Sequence, residues 1–265
     1  MSKHDLLTIK ELEVFKPTIK TIQFIDNFLK SSKKSKKDLK ILDWGCSRGL
    51  EVFWLKKNGY ESVYGVDIDE EPIKNGLSLA NELGMNGNIL SQLIDGKKTK
   101  FPDNYFDIVF SNQVLEHVKD IDKVASEIYR ITKPKGVGCH IFPGFLYPNE
   151  GHLHMPFVHW LPKNFSRYSL IILYVFLRRE PFWPELKDQS IMQRAKVYYL
   201  YSINKTYYRS PWELNNIFKN ALFNIDHVNL GDLKIFDDGE KSYFKRINQF
   251  FKNIFFEDEL FLRRY

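Results

Sequence analysis

The sequence predicts an α/β protein whose core is a doubly wound, mostly parallel sheet. Between residues 40 and 142, short apolar segments alternate with amphipathic segments at the spacing of strand–helix–strand units. One of them, residues 106–111, has no polar residue between Asp107 and Ser111, as expected of a strand covered on both faces. A glycine-rich turn follows the first strand and a carboxylate ends the second, so both features are expected at one edge of the sheet.

Length and composition are compatible with this fold and exclude several other classes. The chain has 265 residues, 43% of them hydrophobic, and a net charge of +6. Its two cysteines, Cys46 and Cys139, cannot build a disulfide scaffold, and no Cys/His set has zinc-finger spacing. The N-terminus mixes charged and apolar residues, unlike a secretory signal, and the longest apolar run, residues 170–177, is too short to span a membrane. We therefore expect a soluble, cytoplasmic protein.

The N-terminal region is predicted to be a helix followed by a basic loop. Six lysines fall within residues 30–40, and we interpret them as a solvated loop rather than a nucleic-acid contact, because acidic residues elsewhere cancel their charge. The helix precedes this loop, over residues 18–29. Its apolar residues at helical spacing are Ile19, Ile22, Ile25, Phe28 and Leu29.

The next elements form two strand–helix units. Residues 40–44 are predicted to be a buried strand and residues 47–57 the helix that follows it. Residues 62–67 form the second strand. Asp69 is placed to cap the next helix, with Pro72 in its first turn, where proline costs little. The inner face of that helix is formed by Ile73, Leu77 and Ala80.

Three further strands continue the sheet, over residues 88–94, 106–111 and 137–142. A strongly amphipathic helix over residues 119–132 precedes the last of them, and Gly136 closes the connection. This order of elements is typical of a doubly wound fold.

The alternation stops after residue 142, where the chain becomes rich in proline, histidine, aromatic and basic residues. The later elements are predicted as a helix over 211–222, a strand over 223–230, a helix over 241–255 and a strand over 259–265. We therefore divide the chain into four regions, namely an N-terminal helix and basic loop at 1–39, a core at 40–142, a loop and helical insertion at 143–210, and a C-terminal return to the core sheet at 211–265.

The turn after the first strand carries the clearest chemical signal. It reads Asp43-Trp44-Gly45-Cys46-Ser47-Arg48-Gly49. Its two glycines permit a sharp turn and a close approach of the backbone to a ligand at the start of a helix. Asp67 ends the second strand 24 residues after Asp43, where a carboxylate can accept both hydroxyls of a ribose. The two features together indicate a nucleoside-containing cofactor.

The same turn narrows the choice of cofactor. It has Ser47 where a dinucleotide fingerprint has its middle glycine, and the chain has no P-loop motif, so no loop is built for a pyrophosphate. Asp43, at the start of the turn, repels phosphate and suits a cationic amino-acid group. The cofactor that combines adenine, ribose and an amino-acid tail is S-adenosylmethionine.

Longer stretches of the chain resemble a known family. ILDWGCSRGLE, VYGVDID, LIDGKKTKFPDNYFDIVFSNQVLEHVKD and EIYRITKPKG follow the order of the motifs of class I S-adenosylmethionine-dependent methyltransferases, in particular the small-molecule type with a D-x-G-C-x-x-G first motif. The resemblance covers most of residues 40–142 and resumes at 211–265. It implies a Rossmann-like methyltransferase fold of seven strands with an antiparallel last strand, an S-adenosylmethionine-binding core, and an acceptor-side insertion after strand five.

The resemblance also implies nine cofactor-binding residues. Those around the methionine part are Asp43, Gly45, Cys46, Gly49 and Asn112. Those around the adenosine are Asp67 at the ribose, Ile68 packed on the adenine, Asp95 at its amino group and Gly96 at the ring. The structural alternatives are helix capping for Asp67 and a simple turn for Asp95, and we expect Cys46 to be a small packing residue rather than a reactive thiol.

Histidines are the candidate bases, because transfer of a methyl group to a hydroxyl needs alignment and deprotonation. His117 is expected to pack a helix and His140 to lie in the core. His152, His154 and His159 follow strand five, on the acceptor side, and His154 and His159 are the predicted catalytic residues, with a structural role as the alternative. We predict no metal, since this stretch lacks a set of hard oxygen ligands.

The basic surplus of the chain lies entirely in residues 163–210, which hold nine Lys/Arg, three Asp/Glu and 11 aromatic residues. We interpret this segment as a helical lid over the acceptor pocket. The alternative is a docking surface for an anionic or lipid-linked acceptor, with peripheral membrane contact. Nucleic acid is not expected as a partner, because the basic density is modest and no binding module is visible.

The sequence therefore predicts an S-adenosylmethionine-dependent methyltransferase, and more specifically an O-methyltransferase acting on a small molecule such as a sugar or glycan precursor. Two alternatives stay open, a quinone or lipid methyltransferase at a membrane surface and a non-catalytic scaffold with the same fold.

Overall fold

The computed structural model describes residues 7–85, 89–93, 95–230 and 258–264. Its seven strands are β1 (Lys40–Trp44), β2 (Ser62–Asp67), β3 (Leu90–Gln92), β4 (Phe106–Asn112), β5 (Thr132–Phe142), β6 (Asn224–Leu230) and β7 (Asp258–Arg263). They form one sheet in the order β3-β2-β1-β4-β5-β7-β6. Only β7 is antiparallel to its neighbours, and it lies between β5 and β6. The predicted fold class is confirmed.

Eight α-helices lie in the described residues. They are α1 (Ile9–Val14), α2 (Ile19–Ser32), α3 (Leu50–Lys57), α4 (Glu70–Glu82), α5 (Ile121–Ile131), α6 (Phe165–Phe176), α7 (Ile191–Asn204) and α8 (Pro211–Asn220). Short 3-10 turns occur at Leu115–His117, Val158–Trp160 and Pro184–Leu186. The helix predicted over 241–255 lies outside the described residues.

The sheet has an apolar layer on each face, because successive residues of a strand point to opposite sides. In β1, Ile41 belongs to the layer that contains α2, α3 and α4, whereas Leu42 belongs to the layer that contains α5 and α8. In β4, Ile108 and Val109 divide in the same way. All four side chains are fully buried, and each such burial contributes about 1.5–3 kcal/mol to folding. The two layers hold the carboxyl ends of the central strands in a fixed arrangement.

The starts of α3 and β5 lie several residues from their predicted positions. α3 begins at Leu50 rather than at residue 47, because Ser47 and Gly49 have positive φ angles of 47° and 80° and cannot be helical. β5 begins at Thr132 rather than at residue 137. Thr132 pairs with Phe106 before a register shift, so the strand is longer than its apolar segment.

The N-terminal region contains a helix that the sequence pattern did not indicate. α1 has only six residues and begins with a capping box, in which Thr8 and Glu11 each accept from the other's backbone N–H. The lysine-rich loop after α2 contacts the sheet, because Lys34 forms an ion pair at 2.7 Å with Asp107 of β4.

The insertion between β5 and α8 folds around its own apolar cluster. α6 and α7 pack together, and the cluster consists of Leu153, Met155, Val158, Ile171, Val175, Leu186, Ala195 and Tyr198. Arg167 is buried within it and donates to the carbonyl oxygens of His159, Leu161 and Ser202. The insertion is therefore a helical hairpin with its own packing, and the four-region division of the chain stays a prediction.

Candidate active site

A cavity of about 560 Å³ opens at the carboxyl ends of β1, β2 and β4. This is the edge of a parallel sheet at which ligands bind in doubly wound folds, because the loops there connect to helix N-termini. Six of the nine predicted cofactor residues line the cavity, namely Gly45, Asp67, Ile68, Asp95, Gly96 and Asn112. The three others, Asp43, Cys46 and Gly49, lie in or behind the turn after β1.

The turn after β1 is held tightly against β2 and the residues after β4. The N–H groups of Gly45 and Cys46 donate to the carbonyl oxygen of Val66 at 2.7 and 3.0 Å. A Cβ on Gly45 would lie 2.4 Å from a methyl carbon of Val114, and its φ of 84° disfavours any side chain. Glycine is therefore required at this position for both reasons.

The Asp67 carboxylate is fixed at the end of β2 by backbone donors. Ser47 N–H donates to Oδ2 at 2.7 Å, and Asp69 N–H donates to Oδ1 at 3.0 Å. The next side chain, Ile68, is 59% exposed although it is apolar, and it faces the cavity. A carboxylate beside an exposed apolar surface suits a ligand that combines hydroxyl groups with a flat ring.

The Asp95-Gly96 turn forms the opposite wall of this part of the cavity. Asp95 Oδ1 accepts from the backbone N–H groups of Lys97 and Lys98, both at 3.0 Å, and these bonds lower the pKa of the carboxyl. A Cβ on Gly96 would lie 3.3 Å from a methyl carbon of Ile68, so the turn packs directly against the apolar side chain.

A second pocket of about 270 Å³ adjoins the turn after β1 and is lined by Asp43, Cys46, Glu51 and Asn112, with Lys16 from the α1–α2 connection. The amide nitrogen of Asn112 donates to both carboxylate oxygens of Glu51, at 2.7 and 2.9 Å. Burial raises the pKa of Asp43 well above its usual range, and the nearby carboxylates of Glu51 and Asp67 raise it further. The pocket therefore combines two acidic side chains, Asp43 and Glu51, with the basic side chains of Lys16 and Arg48.

Two of the predicted cofactor residues in the turn, Gly49 and Cys46, lie in positions that indicate a structural role. Gly49 precedes α3 with a φ of 80° and lines neither pocket. Cys46 is buried, which raises the pKa of its thiol, so the side chain does not act as a thiolate nucleophile.

The predicted catalytic histidines are not in the cavity. His154 is exposed on the insertion. The ring of His159 is buried, and its Nε2 atom lies 2.9 Å from the carbonyl oxygen of Phe145. Neither residue is among those that line the cavity, so their catalytic role stays a prediction without support from the geometry. His117 does line it, and its ring meets that of His152 edge-on at 4.7 Å.

Sequence reasoning missed the residues that the chain brings to the site from a distance. His117 was assigned to helix packing, although its position just after β4 was an available signal. Glu51 and Lys16 carried no sequence signal, because only the tertiary fold places a helix residue and an N-terminal loop beside the turn after β1.

Residues 42–139 match the family described as "Methyltransferase domain". Together with the seven-stranded sheet, this decides the identity of the core. Residues 42–139 of this chain form a methyltransferase domain. S-adenosylmethionine is the methyl donor of this family, which agrees with the cofactor predicted from the turn after β1.

Curated relatives share the methyltransferase domain over part of their length. The chain is 29% identical over 121 residues to a sterol 24-C-methyltransferase of Aspergillus fumigatus, covering 46% of this chain and 32% of that protein. It is 28% identical over 153 residues to a ubiquinone biosynthesis O-methyltransferase of Rickettsia bellii, covering 56% and 61%. The chain thus spans less than two thirds of the length of each.

Solved structures share the fold at low sequence identity. An S-adenosylmethionine-dependent methyltransferase from Mesorhizobium loti superposes with a TM-score of 0.54 and 17% identity, over 90% of this chain and 96% of that one. Geranyl diphosphate C-methyltransferase from Streptomyces coelicolor gives a TM-score of 0.54 and 14% identity, over 93% and 77%. The likeness extends beyond the methyltransferase domain to most of this chain.

Proposed function

We propose that this chain transfers the methyl group of S-adenosylmethionine to an oxygen atom of a small molecule. The observation that carries the proposal is the cavity at the ends of β1, β2 and β4, in which the fixed carboxylate of Asp67 adjoins the exposed apolar face of Ile68. One end of it suits a ribose and an adenine, and the adjoining pocket suits an amino-acid tail.

The residues present fit each part of the cofactor. Asp67 would accept from the ribose hydroxyls, and the adenine would pack on the exposed side of Ile68, with Gly96 at the ring. Asp95, in the same turn as Gly96, would accept from the adenine amino group. The methionine part would lie along Gly45, Cys46 and Gly49, near Asn112. The remaining predicted contact is that of Asp43 with the ammonium group.

The second pocket, beside the turn after β1, favours a cofactor with a methionine part over one with a pyrophosphate. Asp43 and Glu51 are held close together in a buried position, so a bound ammonium group would relieve their repulsion. Lys16 lies on the same pocket and supplies a positive charge for the carboxylate of the tail. A pyrophosphate would meet the carboxylates instead and would be repelled.

When bound, the cofactor supplies a methyl group on a positively charged sulfur, and the chain's residues align the acceptor with it. The acceptor would enter beside His117, which lies on the cavity wall. Burial lowers the pKa of His117, so the imidazole is neutral near pH 7 and one ring nitrogen keeps a lone pair for interaction at the acceptor side.

A sugar or glycan precursor is the acceptor class we propose. The support is the polar character of the acceptor side, where His152, the Tyr208 hydroxyl and the Glu150 carboxylate lie within hydrogen-bonding reach of one another next to His117. These groups hydrogen-bond to one another, and His117 brings this polar cluster to the wall of the cavity, where a molecule with several hydroxyl groups would meet it.

Isothermal titration calorimetry with S-adenosylhomocysteine tests the cofactor site. We expect one molecule bound per chain, and Asp67→Asn should weaken binding by about 1.5–3 kcal/mol, because it replaces hydrogen bonds to a charged group. Glu71→Gln, an exposed carboxylate on the first turn of α4, is the matched control and should bind as the wild type does. No heat of binding from a folded wild-type chain would contradict the proposal.

A metabolite extract incubated with radiolabelled S-adenosylmethionine tests turnover and the acceptor class. Label in an alkali-stable ether of a hydroxyl-rich product is the expected result. Binding of the cofactor product without label in any fraction would favour the non-catalytic scaffold.

A lipid or quinone acceptor is the second candidate, and it is favoured by the outer face of the insertion. Phe176 and Phe182 are 66% and 78% exposed, and the exposed residues Arg178 and Arg179 lie between them in the chain. Exposed aromatic rings next to arginines suit the interface of an anionic membrane. Within the described part of the chain, no helix is long and apolar enough to cross a bilayer.

Sedimentation with vesicles separates the two candidates. If the acceptor is lipid-linked, the chain should sediment with vesicles containing phosphatidylserine, and Phe176→Ser with Phe182→Ser should abolish this. Trp212→Ser removes an aromatic ring that is 64% exposed on α8, outside the insertion, and is the matched control. A wild-type chain that stays in the supernatant would eliminate the membrane candidate.

A further inference from the structure

Glu116, His117 and His152 converge on one point at the acceptor side of the cavity. Each offers one ligand atom, a carboxylate oxygen or a ring nitrogen, and the three atoms lie within 4.8 Å of one another. Glu116 and His117 belong to the 3-10 turn after β4, whereas His152 comes from the loop after β5. The set differs from the three histidines of the insertion considered from sequence, because only the fold joins the two segments.

Hydrogen bonds fix which nitrogen of each imidazole is available. Nδ1 of His117 lies 2.7 Å from the carbonyl oxygen of Lys205, which can only accept, so Nδ1 carries the proton. Nδ1 of His152 faces Oε1 of Glu150 at 3.4 Å, and the Tyr208 hydroxyl donates to the same oxygen at 2.7 Å. In the neutral form, each ring keeps the lone pair of Nε2. Metal-binding histidines show this arrangement, with the second nitrogen held by a carbonyl or carboxylate.

We propose that Glu116, His117 and His152 bind a divalent transition-metal ion beside the methyl-donor cavity. Two imidazoles and one carboxylate with open coordination positions form the ligand set of zinc and iron(II) sites. Nε2 of His117 lies 3.8 Å from Oε1 of Glu116. Two ligand atoms that each lie about 2.1 Å from a tetrahedral ion are about 3.4 Å apart. Nε2 of His117 and Oε1 of Glu116 would therefore need to move together by a few tenths of an ångström to bind one ion.

The surroundings of the three ligands suit a cation that is open on one side. The side chain of Glu116 is 1% exposed and that of His152 is 23% exposed, so two ligands are shielded from water. His117 is 37% exposed and lines the cavity. The buried carboxylate of Glu150 adds a second negative charge behind His152. The open positions of the ion would therefore face the space next to the methyl donor.

The role of this ion rests on the proposed function, whereas its binding rests on the geometry alone. Coordination of an acceptor hydroxyl lowers its pKa, and the proton leaves to water. The acceptor oxygen then forms a bond to the methyl carbon with its lone pair as the carbon–sulfur bond breaks, and that electron pair stays on the sulfur. The products are a methyl ether and a neutral thioether, so charge and atoms balance.

Titration of the full chain with Co²⁺ tests the site, because the visible absorption of Co²⁺ reports its coordination. After removal of metal by a chelator, we expect one Co²⁺ per chain, displaced by one Zn²⁺. His117→Ala, His152→Ala and Glu116→Gln should each weaken binding by tenfold or more and change the spectrum. Glu150→Gln acts on a positioning residue and should weaken binding by about 10- to 100-fold.

His154→Ala is the matched control, since it removes an exposed histidine two positions from His152 and should retain one Co²⁺ per chain. Thermal unfolding and calorimetry with S-adenosylhomocysteine verify that each variant is folded. A folded wild-type chain that binds no Co²⁺, or a His117→Ala/His152→Ala double variant that binds it like the wild type, would overturn the metal site. Failure of S-adenosylhomocysteine to bind would overturn the proposed function instead and leave the metal result independent.

Discussion

Three carboxyl groups, those of Asp43, Glu51 and Asp67, interact beside the turn after β1. Asp43 is buried, and Glu51 and Asp67 face it, so the pKa of Asp43 lies well above its ordinary value of 3.8. Burial also raises the pKa of Glu51 above its ordinary value of 4.5, because its effect is larger than that of the hydrogen bonds from Asn112 and from the Thr18 backbone, which lower the pKa. The free site therefore retains protons at pH values where exposed carboxylates have lost them.

We expect cofactor binding to be linked to proton release. A bound ammonium group favours the charged carboxylates and lowers their pKa, so affinity should rise with pH above the ordinary values of 3.8 and 4.5 until Asp43 and Glu51 are ionised in the free chain. Calorimetry in buffers of different ionisation enthalpy measures the protons released. Asp43→Asn should reduce that number, and an affinity independent of pH from 5 to 8 would contradict the assignment.

Single residues were predictable from sequence where a strand end fixes their position. Asp67 and Ile68 follow directly from the end of β2, and both line the cavity. The partners of Asn112 were not predictable, because Glu51 reaches it from α3 and Thr21 donates to its amide oxygen from α2. Contacts between side chains of separate elements depend on tertiary packing, which residue spacing does not encode.

At the scale of elements, strand boundaries were predicted best where both faces are buried. β1 and β2 match their predicted ranges because every apolar residue in them faces one of the two layers. β5 was predicted too short, since its first residues pair through the backbone. Arg264, from the end of β7, donates to the carbonyl oxygen of Thr132 at 2.5 Å and supports that extension. A pairing between distant segments leaves no periodic signal.

Arg167 is expected to determine whether the insertion keeps its shape. Arg167→Met removes donors to three buried carbonyl groups and should destabilise the hairpin by about 3 kcal/mol. Limited proteolysis should then cleave the region of α6 and α7 first. Arg179→Met, at an exposed position in the same hairpin, should leave the cleavage rate unchanged.

The binding of S-adenosylhomocysteine gives the second readout for Arg167→Met. Because the insertion packs around its own apolar cluster, we expect the core to fold without it and this variant to bind the ligand still. Equal loss of binding and of protease resistance would show that the two units unfold together.

At the scale of the whole molecule, Asp107 joins three parts of the chain at the edge of the sheet opposite the cavity. It accepts from Lys34 at 2.7 Å, from the backbone N–H of Lys40 at 2.9 Å and from Lys133 at 3.0 Å. Burial raises the pKa of Asp107, but these bonds lower it more, so it lies below the ordinary value of 3.8. The N-terminal region is thus tied to β1 and β5 through one carboxylate.

Asp107 should make stability decline in acid. Because its pKa is lower in the folded state, its contribution is complete above the unfolded value of about 3.9 and is lost as the pH falls through the folded value. Urea unfolding should show Asp107→Asn less stable by about 1–3 kcal/mol at pH 7. The difference from the wild type should shrink toward pH 3, and Asp188→Asn, an exposed acid on the insertion, serves as the control.

The join between the insertion and the core has a consequence for how acceptor preference can change. Tyr207 N–H donates to the carbonyl oxygen of Glu116, and Arg209 donates to those of Val118 and Lys119. These three hydrogen bonds are made to main-chain carbonyl oxygens of residues 115–119 and do not involve the side chains of that segment. Substitutions at Val118 and Lys119, which line the cavity, can therefore reshape the proposed acceptor side while this attachment persists, which makes these two positions favourable for directed evolution of new specificity.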